Sequence, residues 1–425
     1  MLVLEGDGMV PDSAGQEIDR GPQMSSRPGR AILLRAWLVI MLIASIIVLR
    51  MMIIPNIVPA PDTGLANGEV VGKDFTLFYS SGLLARAGRA IDAYDDKIMS
   101  AMETAVAGVP MSLHWPYPPG MFLVTAAIAG LPYPLALSVW LVVGFGGLAW
   151  VAWRLAPHPA TPILLALCPT VGLTLIMGQV GLFAAALAGA GLLSLERRPA
   201  LAGFLFGILT LKLQLAFLLP FGLIAGRHYR ALVAMVLTAA VLEIIGLVIA
   251  GPDSALIFPH AASVALDKVS TWPTALARAP TVFIAGIYAS LPRSLALAIQ
   301  IAVTLPVIAI VCFIWRRTRS LELRSLAWAA GLPLAVPYMY DYDLPIFVIP
   351  LAAIAWRCWH RGISWIDALV MTALWSAPIL VKPLALATQF QIPPMIFAGL
   401  LVYAWWQTIH PSRESILPYG ATRTA

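Results

Sequence analysis

The sequence predicts an all-α polytopic membrane protein, a single bundle of about twelve transmembrane helices. Three observations lead there. Of its 425 residues, 60% are hydrophobic and 11% are charged, whereas a soluble domain carries about 25% charged residues. The apolar residues gather in a succession of runs, many of them near the roughly 20 residues that a helix needs to cross a bilayer. The formal charge of +6 is spread over short loops between those runs, the arrangement that orients a chain in a membrane. A nucleic-acid-binding protein would instead cluster its basic residues on one face.

In chain order, the first 30 residues are polar and rich in Gly and Pro, and Arg27, Arg30 and Arg35 flank an apolar run at 31–54. This reads as a disordered cytoplasmic tail (1–30) and an uncleaved anchor, because a cleavable signal begins its apolar core sooner. Residues 55–118 form an outer loop too long for a simple connection. Within it, Phe75, Phe78, Tyr79, Gly82 and Leu83 follow helical spacing, with Thr76, Ser80 and Arg86 on a more polar face. A helix lying in the membrane interface is expected there, with Asp74 in its first turn, where the helix dipole favours a carboxylate. "HWPYPPG" (114–120) then stiffens the chain as it returns to the membrane.

Further apolar runs lie near 120–131, 135–153, 161–176, 180–195, 200–211, 213–225, 231–250, 294–315, 325–337, 344–356, 365–382 and 393–407. Loops bearing Arg154, Arg197 and Arg198, Arg227 and Arg230, Arg316, Arg317 and Arg319, and Arg357 and Arg361 read as cytoplasmic. The chain must then turn on the outer side at "MGQVG", at "TLKLQ" and at "PYMYDYDLP". These odd polar interruptions therefore fall on the side of "KDFTLFYSSG". The same parity makes 120–131 a re-entrant or half helix, and 200–225 is too short for two full crossings at about 1.5 Å per residue. Lys212 is thus expected to stop short of the far surface, in a cavity. Residues 251–293, rich in Pro and Trp, form a second large outer loop. Residues 31–410 make one transmembrane domain, and 411–425 a cytoplasmic tail. The three cysteines, Cys168, Cys312 and Cys358, read as small core residues without disulfides.

Each polar outlier admits two readings. Asp74 is a general base at the membrane boundary, or a helix N-terminal residue paired with Lys73. Lys212 is expensive inside a membrane and so faces a cavity or partner; it binds phosphate as a point charge or pairs with a carboxylate. Gln179 is a ligand or helix–helix glue. Tyr117 contacts a sugar or phosphate, or serves the headgroup belt. Asp341 and Asp343 among Tyr338, Tyr340 and Tyr342 suit carbohydrate, or a cation. No phosphate-cradling Gly loop, zinc spacing or Gly-x-Ser-x-Gly occurs. The cytoplasmic loops are too short for a nucleotide-binding domain, so neither nucleotide nor nucleic acid is an expected partner.

The motifs "KDFTLFYSSGLLARAGRAIDAYD", "WPYPPGMFLV", "GQVGLFAAALAGAGLLSLERRPALAGFLFGILTLKLQLAFLLP" and "PYMYDYDLPIFVIPL" stand in an order that resembles glycosyltransferase family 87, over roughly residues 70–350. The resemblance implies a GT-C fold. It implies transfer of a sugar, mannose above all, from a polyprenyl-phosphate donor to a glycolipid or polysaccharide acceptor at the outer face of a bacterial inner membrane. Neither cofactor nor metal is implied. Asp74 would be the base of an inverting transfer, and Lys212, Gln179 and Tyr117 would hold the donor phosphate. Tyr79, Asp95, Tyr340, Asp341 and Asp343 would contact substrate, with Asp95 shaping the loop. Relatives often carry His in the late motif, where this chain has Tyr340, and Gln214 departs from a Pro-containing pattern. The rival expectations are a lipid-linked-sugar flippase or secondary transporter, which also use intramembrane Lys, Gln and Asp in broken helices, and an inactive scaffold of the same fold.

Overall fold

The computed structural model describes residues 35–46 and 72–410. The predicted tails at 1–30 and 411–425, parts of the first apolar run and residues 55–71 lie outside the described residues. The fold is all-helical there, and six helical segments are long and apolar enough to cross a membrane: Tyr133–Leu155, Pro199–Ala216, Tyr229–Ala250, Arg293–Arg317, Asp341–Arg361 and Trp365–Thr388. Arg35–Ile46 and Gly181–Ser194 are shorter apolar helices. The chain is a multi-pass membrane protein.

The other apolar runs are broken. The run at 161–176 splits into Thr161–Ala166 and Pro169–Met177, because Pro169 disfavours helical geometry at Cys168, which is extended at φ −71 and ψ 119. The run at 120–131 yields only Met121–Ile128, about 12 Å of helix. In the segment holding Lys212, regular helix stops at Leu209 and gives way to a 3-10 turn over Thr210–Lys212, followed by Leu213–Ala216. A third break follows Leu321–Ala335 and leads through an extended stretch into the 3-10 helix Asp341–Phe347. Backbone broken at membrane depth is tolerated where it lies inside protein, and Lys212, Asp341, Tyr342 and Asp343 are all buried.

The helix expected in the first long loop forms at Lys73–Arg86, but it is not amphipathic in its packing. Thr76, Ser80 and Ser81 are fully buried along with Phe75, Phe78 and Leu84. Thr76 and Ser81 donate to carbonyls of their own helix, Lys73 at 2.6 Å and Phe78 at 2.9 Å, while the Ser80 hydroxyl has no hydrogen-bond partner among the described residues. Gly82 lets this helix meet Met121–Ile128 backbone to backbone: a Cβ there would lie 2.1 Å from the Thr125 carbonyl oxygen. Around it an aromatic cluster gathers Phe75, Phe78, Trp115, Tyr117, Phe122 and Trp140. The second large loop is likewise ordered, as helices Ser254–Thr271, Pro273–Arg278 and Val282–Tyr288. It is tied to the first by Asp96, which bonds Lys268 and His114, each at 2.7 Å.

The basic loops converge at the opposite end. Arg324 bonds Glu196, His228 and the carbonyls of Thr318 and Trp315, and Arg357 joins Glu322 to Asp367. Exposed Trp150, Trp153, Trp359, Trp365 and Trp406 stand in the first or last turns of their helices, the composition of a membrane–water interface. All three cysteines are free, and Cys168 and Cys358 are buried.

Candidate active site

The non-basic end holds a dense cluster of opposite charges, and four broken pieces of backbone build it. The first is the start of helix Lys73–Arg86, which presents Asp74. The second is the turn between Pro169–Met177 and Gly181–Ser194. There Gly178 adopts φ 71, and an added Cβ would lie 2.7 Å from Phe75 Cβ, so only glycine lets the turn sit against the Asp74 helix. Gly72 N–H donates to the Ile176 carbonyl at 3.0 Å and Trp140 Nε1 to the Gly178 carbonyl at 3.1 Å, fixing that contact. Gln179 Nε2 consequently donates to Asp74 Oδ2 at 2.9 Å, and Tyr117 O–H points at Gln179 Oε1 at 3.4 Å.

The third piece is the break at Lys212 and the fourth is Asp341–Phe347. Gly181 brings the fourth against the second, since a Cβ there would lie 2.1 Å from the Tyr342 carbonyl oxygen, and Thr174 donates to the same oxygen at 3.0 Å. Lys212 Nζ pairs with Asp343, whose other oxygen accepts from Tyr340 N–H at 3.2 Å. Tyr340 and Asp343 thereby cap the 3-10 helix reciprocally. Asp341 receives a forked bond from Arg278, with Nε at 3.0 and 3.1 Å and Nη2 at 2.9 Å. The Tyr342 ring lies 5.2 Å from each of the two cations, within reach of cation–π attraction.

Electrostatics follow from the burial. Burial raises the Asp74 carboxyl above its ordinary range, and Arg278, Gln179, Lys73 and Lys212 pull it back in that order. Burial alone would lower the Arg278 guanidinium, but Asp341 and then Asp74 raise it, so it stays charged. Burial raises the Tyr117 phenol, helped by Asp343 and Asp74, which keeps it a hydrogen-bond donor. Among the described residues no group of three His, Cys, Asp or Glu is disposed to hold a metal ion; each aspartate faces its own cation or amide.

Of the residues singled out in the sequence, Asp74, Gln179, Tyr117, Lys212, Tyr340, Asp341 and Asp343 meet in this one cluster. Tyr79 and Asp95 do not. Tyr79 donates to the Leu131 carbonyl at 2.9 Å inside the aromatic cluster. Asp95 is exposed and caps helix Asp96–Ala107, accepting from Lys97 and Ile98 N–H. The residue that sequence reading missed is Arg278. Its only local signal is a lone arginine in "TALARAP", which reads as loop decoration until the fold carries it to Asp341.

The arrangement offers a half-buried carboxylate oriented by an amide, beside two cations and several phenols. It can accept a proton from a hydroxyl and stabilise a nearby anion. A sequence model described as Glycosyltransferase family 87 matches residues 115–337. No curated protein and no solved structure matches the chain.

Proposed function

The chain belongs to glycosyltransferase family 87, and on that premise we propose that it transfers a sugar, mannose foremost, from a polyprenyl-phosphate donor to a glycolipid or polysaccharide acceptor. In this reading residues 31–410 form one GT-C domain in a bacterial inner membrane, with the Arg- and Trp-rich end in the cytoplasm and the aspartate cluster facing out. Asp74 accepts the proton of an acceptor hydroxyl as that oxygen bonds to the anomeric carbon. The bond from that carbon to the phosphate oxygen breaks, its electron pair leaves with the polyprenyl phosphate, and the anomeric centre inverts. Raising the carboxyl by burial makes Asp74 a better base once ionised. Gln179 holds one carboxylate oxygen and leaves the other for the hydroxyl.

Charge develops on the leaving phosphate, and preorganised cations stabilise it most where water is excluded. Lys212 supplies one such charge, with Gln179 and Tyr117 as donors, while Tyr340, Asp341 and Asp343 shape the sugar pocket. Tyr79 and Asp95 act by shaping the first outer loop. The observation that carries this reading is the convergence of Asp74, Gln179, the buried Lys212 and the half-buried Arg278 from four separated stretches of chain. A transporter is less well supported, because the ionic groups at the basic end form closed clasps such as Arg324–Glu196–His228 rather than an open path.

The test is to reconstitute the purified protein in liposomes with polyprenyl-phosphate-[³H]mannose and a membrane glycolipid extract, without nucleotide. Labelled glycolipid product is expected. Movement of the donor across the bilayer with no glycosidic product would replace this proposal by the flippase.

A further inference from the structure

We propose that the open edge of the Arg278 guanidinium is the docking point for the phosphate of the lipid-linked donor, and that Lys212 supports it from behind its pair with Asp343. The proposal rests on the glycosyl-transfer reading and deepens it. Lys212 is buried and Arg278 half-buried, so the two cations paired with Asp343 and Asp341 are not equally available. The Lys212 side chain is 6% exposed and its partner Asp343 is 1% exposed, so that pair is sealed. Arg278 is 20% exposed. Asp341 takes its Nε and one edge of Nη2, while among the described residues Nη1, with two N–H groups, meets only the Met177 sulfur at 3.7 Å. A thioether is a weak acceptor, so this edge keeps most of its donor capacity. A planar edge of adjacent N–H groups matches two phosphate oxygens.

The edge is held in place from both sides. Gln391 is fully buried, and its Nε2 donates to the carbonyls of Leu276 at 3.0 Å and Ala277 at 3.1 Å, the two residues before Arg278. On the other side Thr281 O–H donates to the Pro337 carbonyl at 3.0 Å, fixing the segment to the stretch that leads into Asp341. Among the surrounding cations Arg278 acts most strongly on Asp74. An in-line displacement needs the leaving phosphate on the far side of the anomeric carbon from the hydroxyl that Asp74 deprotonates, and the two cations stand on different stretches of chain from Asp74.

Binding of a radiolabelled polyprenyl monophosphate, the leaving product, to the whole protein in nanodiscs tests this without turnover. Binding is expected to weaken at least about tenfold in Arg278→Ala and several-fold in Arg278→Lys, whose single point of charge cannot replace the fork. Asp341→Asn removes a competing carboxylate and is expected to bind as tightly as wild type or tighter. A merely structural ion pair would make Asp341→Asn as weak as Arg278→Ala, which would overturn the proposal, as would equal binding by wild type and Arg278→Ala. Displacement by inorganic phosphate as effective as by the lipid would assign the edge to free phosphate instead and overturn the lipid assignment. Absence of binding to wild type would sink the donor class itself, a distinct outcome. Where variants fail to fold, phenylglyoxal labelling of wild type decides: polyprenyl phosphate should shield Arg278 several-fold, and unchanged labelling would refute the assignment.

Discussion

Replacing Lys212 by Met removes the partner of a carboxylate that is 1% exposed. Among the described residues Asp343 would keep only the Tyr340 N–H at 3.2 Å, and breaking a buried ion pair from one side costs about 3–5 kcal/mol. Asp343→Leu, which strands the ammonium and also opens the reciprocal cap of the 3-10 helix, should cost at least as much. The double replacement Lys212→Met with Asp343→Leu leaves no charge stranded, and hydrophobic replacement of a buried pair is often neutral or better. It should recover all but about 1 kcal/mol, the worth of the lost cap. Equilibrium unfolding in mixed micelles of increasing SDS fraction, followed by tryptophan fluorescence, reads these differences. A Lys212→Met cost below about 1 kcal/mol, the value of a solvated pair, would refute a sealed pair at this break. Additive costs in the double variant would refute direct coupling between the two side chains.

Further outcomes follow from neighbouring groups. Gly178→Ala must place a methyl 2.7 Å from Phe75 Cβ at φ 71, so it should cost about 1–3 kcal/mol and lower transfer as Gln179 moves from Asp74; unchanged stability would contradict the close approach. Fully buried Glu103 is raised to about 7 by burial, against the Leu113 N–H that lowers it. A raised carboxyl favours the folded state below its unfolded value, and that stability is lost as pH rises through about 7. The wild-type melting temperature should therefore fall as pH rises from the ordinary value of 4.5 to about 7, while Glu103→Gln should flatten the curve; parallel curves would show that Glu103 is not the group responsible. Asp74 is also raised, and as a base it works only when ionised, so transfer should increase with pH through a value above the ordinary carboxylate range. A rate flat down to the ordinary range would contradict its burial.

Much of the cluster was legible in the sequence because intramembrane polar residues are rare and costly. Asp74, Gln179, Lys212 and the Asp341–Asp343 stretch stood out against apolar surroundings, and the arginine loops put their turns on one side. Arg278 was hidden because its meaning depends on the tertiary path of 251–293, a segment that local pattern describes only as loop. The helix Lys73–Arg86 was located correctly, yet its Thr and Ser suggested an exposed polar face. Thr76 and Ser81 satisfy their hydroxyls on their own helix, and Ser80 is buried with no hydrogen-bond partner among the described residues, so spacing could not reveal that the face is buried. The crossing count was hard for a related reason. Hydropathy registers apolar runs, whereas the breaks at Cys168, Lys212 and after Ala335 fall within or beside runs that remain apolar throughout.

The most direct test of the account compares sugar transfer from a polyprenyl-phosphate donor by wild type and by Asp74→Asn, each purified and shown to be monodisperse. The asparagine keeps the shape and can still face Gln179, but it cannot take a proton. Transfer should fall by about 10²–10⁴-fold, the worth of a general base, while binding of the polyprenyl phosphate is retained. Equal transfer by the two proteins would contradict Asp74 as the base, and the search would pass to Asp341 and Asp343.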